Sequence, residues 1–209
     1  MLLLIVLFSL ARSMIADVTA SDADAGRDLE GGTAASPIIA FLTGSGRDSL
    51  NRSHDEILGF DDDDLEACHD FIQWLFPLHE PSAFSSSAPV MSVAETRIIA
   101  ESAVAASRFR GALRVMRRFL GVTGAGEGES EVSISAEGGG DVANRIRNGD
   151  HNLLRITRIL RSLRLAGLEA EAALFLRDVT SVGRKNNVSE RTLGFWRRAA
   201  EEPLFASLR

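Results

Sequence analysis

Leu153, Ile156, Ile159, Leu160 and Leu163 recur at helical spacing in a stretch that holds neither proline nor glycine. At about 100° per residue they fall within one stripe roughly 120° wide. A helix is therefore expected from Asn152 to Ala166, ended by Gly167 in the C-cap role. Arg155, Arg158, Arg161 and Arg164 fan across the opposite side. The helix is expected to be amphipathic, with one face in a core and the other cationic.

The same periodicity runs through the rest of the chain. Asp61 to Asp64 precede a helical pattern of Leu65, Ile72, Leu75 and Phe76, with Cys68, Phe71 and Trp74 around them, and Pro77 stops it. Aspartates at a helix start accept free backbone N–H groups and favour the positive end of the dipole. A calcium loop would need spaced oxygen ligands and a central glycine, which are missing. Trp74 is expected to be partly or fully buried.

Ser92 is positioned to cap a helix carrying Val93, Ile98 and Ile99 to Ala106. Phe109, Leu113, Met116 and Phe119 continue the period to Leu120, within the same helix or a separate one. Residues 121–140 form a Gly/Glu-rich insert, read as a surface loop with a brief strand at Val132 and Ile134. A phosphate cradle from Gly121, Gly124, Gly126 and Gly128 fails, because the run follows a helix and carries Glu127 and Glu129. Two more helices are expected. One runs from Leu168 to Val179 with Leu174, Phe175 and Leu176 as its apolar residues. The other is capped by Ser189 and holds Leu193, Phe195 and Trp196.

The expectation is an all-α chain. A single globular domain of about six or seven helices occupies residues 37–209, behind an N-terminal leader, residues 1–36. Residues 17–36 are rich in Asp, Ala, Gly and Ser and lack an apolar period. Leu2 to Leu10 are apolar but too short to span a bilayer. Ser9 and Ala11 stand where small residues precede a signal-peptidase cut, yet no basic residue precedes the run. The run 2–11 is a signal, an anchor, or the product of a start before Met14. Without export the chain is intracellular, cytoplasmic or membrane-associated.

Charge divides the chain. Residues 1–104 carry 17 Asp/Glu against 5 Lys/Arg, and residues 105–209 carry 12 against 18, so the halves are −12 and +6. The halves either pair within the fold or the second half meets an anionic partner. Lys185 is the only lysine, so almost all the positive charge is arginine, whose planar fork suits carboxylates and phosphates. Cys68 is the only cysteine, which excludes an intramolecular disulfide and a cysteine-built zinc site.

The histidines, His54, His69, His79 and His151, match no metal-ligand spacing. His69 and Asp70, as sequence neighbours, point to different helix faces. No nucleophile stands at a strand-to-helix elbow. The expectation is no catalytic residue, no metal and no cofactor. On a continuous helix His69 and Gln73 would share a face beside Trp74, either lining a ligand groove or forming a buried polar network. His151 and Asn152, with Asp150 available, are read as the cap of the arginine helix.

The segment His69-Asp70-Phe71-Ile72-Gln73-Trp74-Leu75-Phe76-Pro77 resembles the HDYIQWLFP signature of the opioid growth factor receptor conserved domain. His151-Asn152 followed by Leu154-Arg155-Ile156-Thr157-Arg158-Ile159-Leu160-Arg161-Ser162-Leu163 is similar to that family's HN-LRITRILRSL helix. Thr192-Leu193-Gly194-Phe195-Trp196 looks like its last helix. Phe71 stands where the family usually has tyrosine, and this chain contains no tyrosine. The resemblance implies a receptor-like binding module for an opioid peptide, Met-enkephalin, at a membrane, and no enzymatic activity.

Three functional readings follow. In the first, a groove between the Trp74 helix and the arginine helix holds a short, enkephalin-like peptide. Its candidate contacts are His69, Gln73, Trp74, His151, Asn152, Arg155, Arg158 and Arg161, with the peptide carboxylate on Arg155 or Arg158. In the second, the arginine helix binds an anionic partner, nucleic acid or phospholipid. In the third, the arginine face pairs with the acidic first half, within one chain or in a dimer, as a protein–protein scaffold without a small ligand. The oligomeric state is left open.

Overall fold

The computed structural model describes residues 36–82, 85, 87–123, 133–134 and 145–202. The readings of the leader, of Val132 and of most of the insert lie outside these residues. The described residues belong to one compact unit, residues 35–209.

Nine helices form among the described residues, consistent with an all-α architecture. They are α1 (Pro37–Thr43), α2 (His54–Leu58), α3 (Asp62–Ala67), α4 (Ile72–Leu75), α5 (Val93–Glu101), α6 (Ala103–Phe119), α7 (Asn152–Leu165), α8 (Glu169–Lys185) and α9 (Glu190–Glu201). One antiparallel pair, β1 (Val122–Thr123) with β2 (Ser133–Ile134), closes the base of the insert, with Val122 opposite Ile134. No helix among the described residues is long and apolar enough to cross a membrane.

The helix starts follow from local chemistry. Ser53 and Ser92 each accept from the third residue of their helix, while Glu56 and Glu95 reach back to the cap N–H. Asp61 accepts from the Asp64 N–H, with the rest of the acidic run in the first turn of α3. Ser189 caps α9. Gly167 takes the left-handed backbone, φ +72°, just past α7, which a side chain would strain.

Four expectations are corrected. The stretch from 65 to 76 is two short helices, because the backbone opens at Cys68–Phe71. The break between α5 and α6 falls at Ser102, whose extended backbone ends one helix while its hydroxyl accepts from Ala105 N–H to start the next. In α8 the buried apolar side chains are Ala172, Phe175, Val179 and Val182. Leu174 is exposed, since it falls on the opposite side of the helix from that stripe. α7, finally, has no open cationic face. Arg155 is 5% exposed, Leu165 is buried, and the exposed apolar residue is Leu154.

The reason is that α7 sits at the centre. It packs on α8 and α9, and its other side carries the 65–77 segment through the hydrogen bonds described below. Its core residues Ile156, Ile159, Leu160 and Leu163 are fully buried, each worth about 1.5–3 kcal/mol relative to exposure. Gly183 lets α8 and α9 approach, since a Cβ there would stand 3.0 Å from the Trp196 ring. Trp196, fully buried, donates its indole N–H to the Leu153 carbonyl at 3.0 Å.

Candidate functional site

Opening the backbone at residues 68–71 frees carbonyls that a continuous helix would have used, and in a core each must find a donor. α7 supplies them. Arg155 Nη1 donates to the Leu65 carbonyl at 2.7 Å and to Asn152 Oδ1 at 3.1 Å. Its Nη2 donates to the Cys68 carbonyl at 2.7 Å and to His69 Nδ1 at 3.0 Å. One turn on, Arg158 donates to the Phe76 carbonyl at 2.9 Å. A further turn on, the Ser162 hydroxyl donates to the Pro77 carbonyl at 2.8 Å. Positions 155, 158 and 162 are spaced to share one helix face, so one edge of α7 is a ladder of donors for the 65–77 segment.

Gln73 completes the closure from the other side. Its amide nitrogen donates to the carbonyls of His69 and Asp70 at 3.1 and 3.0 Å, and its oxygen accepts from Ser82 Oγ at 3.2 Å. Gln73 is buried and does not share a helix face with His69, because α4 begins only at Ile72. Trp74 points elsewhere, its ring 5.3 Å from Phe41 in an edge-on arrangement.

The arginines hold these places without a facing carboxylate. Burial pushes Arg158 down to about 10, with Glu80 partly offsetting it, so it remains charged at neutral pH. Burial lowers Arg155 as well, against Glu66 and Asp150. Arg155 also lies over the Phe71 ring, 5.3 Å from its centroid, an attraction that needs no phenol hydroxyl. Arg161 is half-buried, and Arg164 donates to the Glu202 carbonyl.

Where this frame reaches solvent, His69, His151 and two carboxylates meet. His69 is exposed, with its ring 5.0 Å from that of His151 and nearly perpendicular to it. His151 Nε2 lies 3.5 Å from Glu66 and Nδ1 lies 3.6 Å from Asp150. Asn152 Nδ2 donates to Glu66 at 3.4 Å. Burial and the neighbouring Arg155 lower the His151 pKa, against the raising effect of Glu66 and Asp150, so this ring is neutral at pH 7. His151 does not cap α7. Asp150 accepts the Asn152 N–H at 2.8 Å instead, since a carboxylate reaches that donor and His151 is already helical in backbone.

The structure therefore brings His69, His151, Asn152 and Arg155 together and leaves Trp74, Arg158 and Arg161 away from the opening. Glu66 and Asp150 join them. The sequence signal for Glu66 was only its place in the acidic run ahead of the signature. His79 stands apart, against the Met91 carbonyl at 2.6 Å and Thr96 Oγ1 at 3.3 Å. No group of three or more metal-ligating side chains assembles among the described residues.

A family model described as "Opioid growth factor receptor (OGFr) conserved region" matches residues 54–202. The opioid growth factor receptor of Homo sapiens is 35% identical over 127 residues, which is 58% of this chain and 18% of that protein. The opioid growth factor receptors of Rattus norvegicus and Mus musculus are 35% and 34% identical over 113 residues, 54% of this chain. The matched part spans less than a fifth of each of these relatives. No solved structure matches.

Proposed function

Because the chain belongs to the opioid growth factor receptor conserved-region family, we propose that it is a non-enzymatic, receptor-like module that binds a short peptide at the His69–His151 opening. The relatives are named receptors for an opioid growth factor, and an opioid peptide is the ligand class carried over. The observation that carries the site is the accessible carboxylate of Glu66 beside His151, with the more buried Asp150 on the other side of that ring and His69 against its face, at the solvent end of the α7 frame.

The polarity of the contact follows from which groups are already used. Arg155 and Arg158 donate to backbone oxygens, so they have little left for a peptide carboxylate. Glu66 is 44% exposed at its side chain and is suited to a peptide's terminal ammonium, with His69 and His151 presenting ring faces to an aromatic or aliphatic side chain. The same use of donors counts against a nucleic acid or phospholipid on the arginine helix.

Calorimetric titration of the full chain with Met-enkephalin, its N-acetylated form and a scrambled pentapeptide tests the reading. Saturable binding of the first alone is expected, weakened at least tenfold by Glu66→Gln. Equal binding of all three, or none, removes the peptide-receptor reading. The scaffold reading would then lead, favoured by a separate observation. Arg108 pairs with Asp55 at 2.9 Å and Arg145 with Asp62 at 3.0 Å, so the basic second half neutralises the acidic first half internally.

A further inference from the structure

A second surface, away from the α7 frame, carries chemistry that the peptide opening does not use. α6 holds Arg108, Arg110, Arg114, Arg117 and Arg118 and no acidic residue. Four of these cations are satisfied. Arg108 meets Asp55, Arg110 meets Glu171 and Arg117 meets Asp178, while Arg118 donates to the Phe60 carbonyl. Arg114 is exposed and has no partner among the described residues.

Arg114 stands at a groove between α2 and α6 lined by Asp55, Leu58, Val104, Arg108 and Gly111 besides itself, with a volume of about 530 Å³. Its floor is apolar. Leu58 runs beneath Gly111, where a Cβ would come within 3.2 Å of the leucine methyl, and Val104 is 53% exposed. Asp55 does not oppose an incoming anion strongly, because both terminal nitrogens of Arg108 hold its carboxylate, at 2.9 and 3.4 Å.

We infer that this groove docks an acidic–aliphatic segment of a partner protein, an aliphatic side chain resting on Val104 and Leu58 and a side-chain carboxylate on Arg114. Charge complementarity selects the occupant. The groove offers one unspent guanidinium beside an apolar floor, and a planar guanidinium takes a carboxylate with two parallel donors. A polyanion would find one free cation here, too few for strong phosphate binding.

The probe is a short fluorescein-labelled peptide of alternating leucine and glutamate, amidated at its C-terminus, titrated against the full chain by fluorescence anisotropy. Saturable binding is expected, lost at least tenfold when glutamine replaces the peptide's glutamates. Arg114→Glu and Val104→Glu each lower affinity at least tenfold. Both positions are exposed, and an unchanged melting transition confirms intact folding. Glu66→Gln leaves this binding unchanged, which separates the groove from the peptide opening. Absence of binding, or binding indifferent to Arg114→Glu and Val104→Glu, overturns the inference. So does displacement of the probe by a single-stranded oligonucleotide or anionic phosphatidylserine vesicles at comparable concentration.

Discussion

α6 and α7 are both arginine-rich, yet they spend their charge in opposite ways. α6 lays Arg108, Arg110 and Arg117 against carboxylates from α2 and α8. α7 turns Arg155, Arg158 and Arg164 onto backbone carbonyls. Arg155, 5% exposed, and Arg110, half exposed, mark the two extremes of burial. At the surface a guanidinium keeps much of its hydration and a carboxylate partner adds little. In the interior the unmet carbonyls of a broken helix are the groups most in need of donors, and one planar fork satisfies several of them at once. Arginine on α6 is therefore mainly a matter of charge, and arginine on α7 is a piece of the backbone's hydrogen-bond accounting.

The largest effect should come from removing a donor that backbone depends on. Arg155→Met keeps much of the volume but orphans the Leu65 and Cys68 carbonyls. A loss of about 3–5 kcal/mol is expected in chemical denaturation. A loss below 1 kcal/mol would erase the contrast between the helices.

A pH titration sharpens it from the α6 side. His54 is buried with neither ring nitrogen hydrogen-bonded among the described residues, its ring 5.5 Å from Phe41. Burial, and then the charge of Arg108, lower it to about 4, against the raising effect of Asp55. The unfolded chain binds this proton near the ordinary histidine range, about 6.5, while the folded chain resists until about pH 4. Stability is thus full above pH 6.5 and falls as pH drops from 6.5 to 4, by about 3 kcal/mol in total. His54→Leu should flatten that part of the stability–pH curve. An unchanged slope would mean that carboxylates alone produce it.

Arg117→Met tests the one deep pair on α6. Asp178 is 1% exposed and would keep only Arg177, which sits at 2.8 Å. A cost of about 2–3 kcal/mol is expected, less than at Arg155 because one partner remains. The smallest effect belongs to Arg110→Ala. Its pair with Glu171 is half exposed on the arginine side, and less than about 1 kcal/mol should be lost, diminishing further in high salt. A larger loss would show that the α6 pairs act as a network.

Periodicity made much of this architecture legible. The stripe of α7, the caps at Ser92 and Ser189, the aspartates before α3 and the turn at Gly167 all follow from residues within one or two turns of each other. Burial of Trp74 followed from its size and apolarity. The candidate site was legible only as a set of names. His69, His151, Asn152 and Arg155 do meet, but the expected shared face of His69 and Gln73 does not exist, and Glu66 and Asp150 drew no notice as lining residues.

What local sequence determined, then, is where helices begin, which stripe they bury and that the arginines of α7 must find partners. Tertiary structure decided where the arginines go. Whether Arg155 faces water or a carbonyl depends on residues 65–69, some ninety positions away in sequence, and on a helix that opens beside its donors. Local propensity favours continuing that helix. The donors on α7 offset the break, since they meet carbonyls that it would otherwise leave unpaired in the core.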